Sequence, residues 1–377
     1  MQIGPFTASG DPSWDADRDP ILKKPVPQFK LPPLFTNVRR NLQELSAMGV
    51  SVVRWFLIAN GVNYGRAPVR RTVTEGSTTN TVWDFTLPAT VDPRFTFHLR
   101  ELLKIFRAEH MQIIPSFIDF AFVGDSGDPD ANGLAERGRA DCIRDKVKRS
   151  AFLNGIFLDL LLASREFQDV IFAWEVINEP IWMLLPPVDP KLPIWDNAAK
   201  HAAAGKPLLR WPIVMTSDLS DFLTEAIQLI ELYKFPSTVG HRFANDLQNL
   251  PTGNRPQFHY YAKTRTFSGF SVGDPTSLPE FKGNPPPFLG EFASDKASAA
   301  QSTPWPELSG TTGKTDTTLD RLKLIESKGC ELCLIWPDLG GATDKCDPIY
   351  SGGPRKCDPI KLHPDTIAQI KKYTGKP

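Results

Sequence analysis

The feature that most constrains this chain is a regular alternation of two kinds of segment. Short apolar runs occur at VSVVRWFLI (50–58), MQIIPSFIDF (111–120), VIFAWEVI (170–177), PSTVGHRF (236–243), PQFHYYA (256–262), PFLGEFA (287–293) and ELCLIW (331–336). QIGPFTAS (2–9) supplies an earlier one, making eight. Between them, at 35–49, 93–110, 144–167, 218–235, 317–329 and 365–373, apolar residues recur every three or four positions. A continuous apolar run is a strand buried on both faces, and an apolar stripe at helical spacing is a helix packing one side on a sheet. Strands that alternate with covering helices lie parallel, and eight of them favour a closed (β/α)8 TIM barrel over an open doubly wound sheet. No glycine-rich dinucleotide fingerprint follows the first strand, which points the same way. The pattern is weakest over 244–316, where the fifth and sixth helices are short or missing.

At 377 residues the chain accommodates one α/β barrel of ~250 residues with insertions, so a single domain over 1–377 is expected. The long segments 60–91, 120–143, 180–216, 263–286, 294–315 and 338–364 all follow strands. In a barrel they wall the C-terminal face of the strands, where active sites lie. Forty-three basic and 43 acidic residues cancel. A neutral chain has no electrostatic footprint for nucleic acid or an anionic membrane, so a neutral partner is expected. No apolar run approaches the ~20 residues of a membrane span. MQIGPFTASG lacks the basic start and apolar centre of a signal peptide, which favours a cytoplasmic location unless the chain is a trimmed form.

Five cysteines are too few for a disulfide scaffold. Cys346 and Cys357 stand in a near-repeat, DKCDPIYSGG and PRKCDPIKLH, and either close a small loop or remain two thiols. Cys330 and Cys333 have metal or redox spacing but no second pair or nearby histidine, and LCLIW follows, so they read as strand-core cysteines. The six histidines are scattered with no pair at ligand spacing. Neither a metal nor another cofactor is expected.

Chemistry enters at FAWEVINEPIW (172–182), where an oily strand ends in Asn178, Glu179 and Pro180. A second acid, Glu291 in PPFLGEFAS, also ends an apolar run. In a barrel every strand end opens into one mouth, so separation in sequence is no obstacle. Two carboxylates facing one cavity can divide the work between a neutral acid and an ionised nucleophile. Retaining glycoside hydrolysis uses such a pair, ~5–5.5 Å apart.

WEVINEP, together with the later LGEF, resembles clan A of the glycoside hydrolases, especially the family 5 cellulase and mannanase group. The resemblance implies that Glu179 is the general acid/base and Glu291 the nucleophile. It spans most of the chain, because Arg54 in VVRWF, His259 and Tyr261 in FHYY, and Trp336 in LIWPD match clan positions in order. Asn178 is then expected to bond the sugar 2-hydroxyl, and Arg54 and Tyr261 to stabilise Glu291. Trp336 would floor the sugar site, and His259 would either orient Glu179 or bond substrate. An apolar strand end should raise the Glu179 pKa, as an acid requires. Arg54 could also pair with Glu175, which lies four residues before Glu179 on the same strand face and reads as a structural charge inside the barrel.

The chain departs from the family after strand three, where a histidine is common. It reads PSFIDFAF there, and Asp119 is the nearest polar substitute. Trp182, Trp195 and Trp211, with Trp83 and Trp305, either stack against an extended sugar chain or pin proline-rich loops to the barrel. His241 and Arg242 face the cleft or cap a helix. The expected protein is a monomeric retaining hydrolase of β-linked glucan or mannan, as poly- or oligosaccharide. Alternatives are a transglycosylase using the same glutamates and a non-catalytic carbohydrate-binding barrel. A metal-dependent hydrolase would need clustered histidine and aspartate ligands at strand ends.

Overall fold

A computed structural model describes residues 2–3, 34–59, 69–75, 78–84, 93–123, 139–184, 214–261, 265–267, 270–272, 277–295, 304–309, 316–336 and 362–376. Seven parallel strands form a nearly closed barrel: β2 (Val52–Ala59), β3 (Gln112–Asp119), β4 (Trp174–Asn178), β5 (Ser237–His241), β6 (Gln257–Tyr260), β7 (Phe288–Ala293) and β8 (Cys333–Trp336). A two-residue strand, β1 (Gln2–Ile3), pairs in parallel with β2, Gln2 opposite Arg54. The rest of QIGPFTAS lies outside the described residues. Every residue of β4 to β7 is buried, as strands covered on both faces must be.

The covering helices are α1 (Leu34–Ala47), α2 (Pro93–Ala108), α3 (Lys146–Ala151 running through a π-helical turn, Phe152–Phe157, into Leu158–Ser164), α4 (Thr216–Leu232), α5 (Thr318–Ser327) and α6 (Pro364–Thr374). Local chemistry sets their ends. Asp145 caps α3 by accepting from Val147 N (2.9 Å) and Lys148 N (3.0 Å). Thr317 and Asp320 form a capping box on α5. Gly375, at φ 69°, closes α6 in the left-handed region. Aromatic rings join aliphatic side chains in the layer between strands and helices: Phe117 of β3 stacks on Phe157 and Phe152 of α3 at 4.1 and 5.0 Å between centroids.

Two of the long segments after strands hold antiparallel hairpins that the apolar-run pattern did not show, Val69–Glu75 with Thr78–Asp84 and Arg265–Phe267 with Phe270–Val272. After β5 the covering helix is reduced to one turn, Asp246–Asn249, and among the described residues no helix joins β6 to β7. Trp305 was a candidate for the cleft wall but is a core residue. It is 1% exposed, edge-on to Tyr260 at 4.8 Å, and anchors the one-turn helix Pro306–Ser309 to the barrel. Cys330 and Cys333 pack against the core as expected, and burial pushes their thiols up to about 11 and about 12. Cys346 and Cys357 lie outside the described residues.

Inside the barrel a polar layer lies next to a small apolar one formed by Val52, Ile114, Phe288 and Leu334. Glu175 accepts from Arg54 Nε (2.6 Å), Arg54 Nη2, Ser116 Oγ (2.5 Å) and Gln257 Nε2 (2.6 Å), all buried. Two glycines make room for this network. A Cβ on Gly240 would stand 2.8 Å from Arg54 Nη2, and one on Gly290 would overlap Gln257 Oε1 and press on His259 Cδ2 at 3.0 Å. Gly290→Ala is therefore expected to cost about 1–3 kcal/mol by overpacking. The readout is a lower urea midpoint at unchanged slope. An unshifted midpoint would mean that the Gln257 amide swings aside freely.

Candidate active site

The site is assembled where β4, β5, β6 and β7 end. Glu179, just past the last residue of β4, adopts φ 45°, ψ 53°, a left-handed conformation that strains any residue but glycine. Pro180 disfavours a right-handed turn at this position. Two backbone hydrogen bonds hold the conformation: Glu179 N donates to Gly240 O (2.7 Å), and Trp182 N donates to Glu179 O (3.1 Å). The turn Pro180–Met183 that follows returns Trp182 to the glutamate, and the indole N–H donates to Glu179 Oε2 (2.6 Å). Glu291 is placed by an irregularity. The β6–β7 register shifts between Leu289 and Glu291, with Gly290 between them, and Glu291 comes to lie opposite His259. Bulges re-aim side chains in this way beside active sites.

The two carboxylates meet across His259. Its Nδ1 lies 2.8 Å from Glu179 Oε1 and 3.4 Å from Glu291 Oε2, and one oxygen of each carboxylate lies within 4.8 Å of the other. Around Glu291, Arg54 Nη1 binds Oε1 and the Tyr261 hydroxyl donates to Oε2 (2.6 Å). Arg54 Nη2 also donates to Asn178 Oδ1 (2.6 Å), and Asn178 Nδ2 donates to Asp119 Oδ2 (2.8 Å). Glu291 is 3% exposed and Glu179 13%, so Glu179 is the more open to solvent.

The electrostatics depart from the sequence reading at Glu179. Burial, the largest single influence, does push its carboxyl up. The His259 hydrogen bond, the Arg242 guanidinium, the imidazole charge and the Trp182 N–H together outweigh it and hold the group well below the ordinary carboxylate range. Sequence showed the apolar approach but not the donors that converge from β5 and β6. Tyr261 is pushed well above the usual phenol range by burial and by the negative charges of Glu291 and Glu179, so it stays a donor.

Arg54, Asn178, Glu179, His259, Tyr261, Glu291, Trp182 and Asp119 thus converge on one connected site. Trp336 ends β8 opposite Ala293, and its side chain lies outside the described residues, as does that of Trp83. Trp195 and Trp211 also lie outside them. The pair His241 and Arg242 divides. His241 is buried, Nε2 3.1 Å from Pro251 O, and burial pulls its pKa down to about 4, so it is a neutral structural residue. Arg242, buried, reaches the site: Nε is 3.5 Å from Glu179 Oε1, and its Cζ lies 4.7 Å from the Tyr261 ring centre. Strand periodicity could have separated them. If Gly240 faces the barrel interior, 241 faces out and 242 faces in.

Glu179, His259 and Glu291 could each offer one ligand atom to a cation. Their carboxylate oxygens already accept hydrogen bonds from Arg54, Tyr261, Trp182 and His259, and Arg54 and Arg242 would repel a divalent ion. The donor set suits a shared proton and a neutral substrate better.

A barrel with its polar site at the strand ends is the architecture of many hydrolases, and here the fold is the one seen in β-mannanases. It is shared with the β-1,4-D-mannanase of Cryptopygus antarcticus, at a TM-score of 0.55 and 14% identity over 99% of this chain and 89% of that one. It is also shared with the β-mannanase of the blue mussel Mytilus edulis, at 0.51 and 12% identity over 100% and 91%. No protein-family model and no curated protein matches the sequence.

Proposed function

We propose that the chain is a retaining β-glycoside hydrolase of β-linked mannan or glucan, with Glu179 as general acid/base and Glu291 as nucleophile. On this reading residues 1–377 form one eight-stranded barrel, β1 filling the gap between β8 and β2. The observation that carries the proposal is the meeting of Glu179 and Glu291, with oxygens within 4.8 Å of one another. Inverting enzymes need room for a water between carboxylates ~6.5–9.5 Å apart, whereas retaining enzymes attack directly.

In the first step a Glu291 oxygen attacks the anomeric carbon as the glycosidic bond breaks. The departing oxygen takes a proton from Glu179. Glu179 is held ionised at rest, so it takes up this proton before the step, and His259 Nδ1, 2.8 Å from Oε1, is the neighbouring group placed to exchange it. In the second step water attacks the same carbon and gives its proton to Glu179, and the ester electrons return to Glu291. Arg54 and Tyr261 keep Glu291 a carboxylate until attack. Asn178 has one Nδ2 hydrogen beyond the one given to Asp119, available to the sugar 2-hydroxyl. Trp182 supplies a flat apolar face for a pyranose ring, the role that the family resemblance also gives to Trp336.

Two solved structures that share the fold are β-mannanases, so β-1,4-mannan is the first substrate to test. Mannan and glucan are incubated with the protein, new reducing ends are counted, and the first-formed anomer is read by proton NMR. Release of the β-anomer first is expected. The α-anomer first would make the enzyme inverting. Turnover of neither polymer nor of activated aryl β-glycosides would leave the non-catalytic binding barrel in its place.

A further inference from the structure

Arg242 has no part in the scheme above, yet it is 2% exposed and lies against its most sensitive group. It follows the last residue of β5, and its guanidinium is boxed in on three sides. Glu179 Oε1 lies 3.5 Å from Nε, the Tyr261 ring 4.7 Å from Cζ, and the Phe243 ring 4.9 Å from Cζ. The side chain therefore links the partner of one catalytic carboxylate to the other carboxylate itself. Asp246, on the one-turn helix after β5, braces this corner: its Oδ2 accepts from Phe243 N (3.0 Å), and it is 8% exposed.

We propose that Arg242 is a positioning residue, a fixed positive charge that Glu179 needs when it acts as base in the second half of the reaction. In that half Glu291 is esterified and neutral, and water can attack only if Glu179 is a carboxylate able to take its proton. The charges facing Glu179 are Arg242 from the end of β5, His259 from β6, Glu291 from β7 and Asp246 from the one-turn helix, with Trp182 from its own turn as a neutral donor. Arg242 is the cation among these whose charge does not depend on pH. Asp246 is the opposing charge: burial, and the negative charge of Glu179, raise its carboxyl to about 6 against the pull of the Phe243 N–H, Arg242 and His259, so near that pH Asp246 is partly neutral and leaves the Arg242 charge to Glu179.

The inference rests on the hydrolase reading, and the test separates the two. With a 2,4-dinitrophenyl β-glycoside the leaving group needs no acid, and kcat reports the second half. Arg242→Met keeps an apolar stem over Tyr261 and removes the charge. Without it Glu179 binds its proton more tightly, so the acidic limb of the kcat–pH profile moves up by about one to three units, the usual effect of an opposite charge on a carboxyl. Arg242→Lys restores the charge and keeps the wild-type limb. The limb position does not depend on how much enzyme is folded, and Arg242→Gln serves the same arm if the methionine variant is lost on purification. A limb that stays in place without the charge, or moves as far in the lysine variant, overturns the inference. Azide rescue of Glu179→Ala in the same assay tests the hydrolase reading on its own.

Discussion

Replacing Glu291 by alanine is expected to lower kcat on a β-glycan by on the order of 10^6-fold, the scale of losing a covalent nucleophile from a hydrolase. The side chain is buried and fixed by Arg54, Tyr261 and His259, so nothing nearby can take its place. Glu179→Ala should lose less on natural substrate, about 10^2–10^4-fold, the usual contribution of a general acid or base. The two variants should separate further on an aryl β-glycoside with a good leaving group. Glu179→Ala then still forms its glycosyl ester, shows a burst of phenol and accumulates the intermediate. Azide, entering the space left by the carboxylate, attacks that ester and gives the β-glycosyl azide. In Glu291→Ala azide enters from the opposite face and gives the α-glycosyl azide. Stopped-flow burst amplitudes and the configuration of the azide product measure this contrast. Equal losses in both variants on both substrates, without azide rescue, would remove the division of labour between the two glutamates.

The barrel was legible because its strands are buried on both faces, and continuous apolar runs leave no other place for them. The hairpins were not, because their strands are mostly polar. VRRTVTE and TTNTVWD each hold two apolar residues among seven, and the Gly76-Ser77 pair between them in sequence is a hairpin signal that a search for unbroken apolar runs passes over. At the site, Glu179 and Glu291 stood out as acids in oily surroundings. Their partners were harder to read because each is contributed by a different strand. Ser116 and Gln257 hold Glu175 only through the parallel register of β3 and β6 beside β4 and β7. Arg242 and Asp246 are ordinary in sequence and significant only once β5 sets which of two adjacent residues turns inward. The lowered Glu179 pKa is the clearest case: it depends on distances to His259 and Arg242 that no local pattern contains.

Arg54→Met is expected to be the most destabilising single change in the barrel interior, at about 3–5 kcal/mol, the cost of leaving buried charge unpaired. Arg54 is fully buried between Glu175 and Glu291. Burial alone would lower its pKa, but the two carboxylates and their hydrogen bonds raise it, so it is a permanent cation facing two acids. Methionine matches its stem but leaves Glu175 with only Ser116 and Gln257, and Glu291 with only Tyr261 and His259. The carboxylates then find relief only by taking up protons. Those protons are bound by the folded variant and not by the unfolded chain, so the deficit is greatest at neutral pH and shrinks as pH falls. Urea unfolding at pH 7 and pH 5 measures it. Removing one of the two charges, in Arg54→Met with Glu175→Gln, should return part of the stability but none of the activity, because Glu291 still lacks its guanidinium. That split would separate the two tasks of Arg54, holding the barrel interior together through Glu175 and holding the nucleophile through Glu291. If the single variant were as stable as the wild type at pH 7, Ser116 and Gln257 would be sufficient for Glu175, and Arg54 would belong to the catalytic site alone.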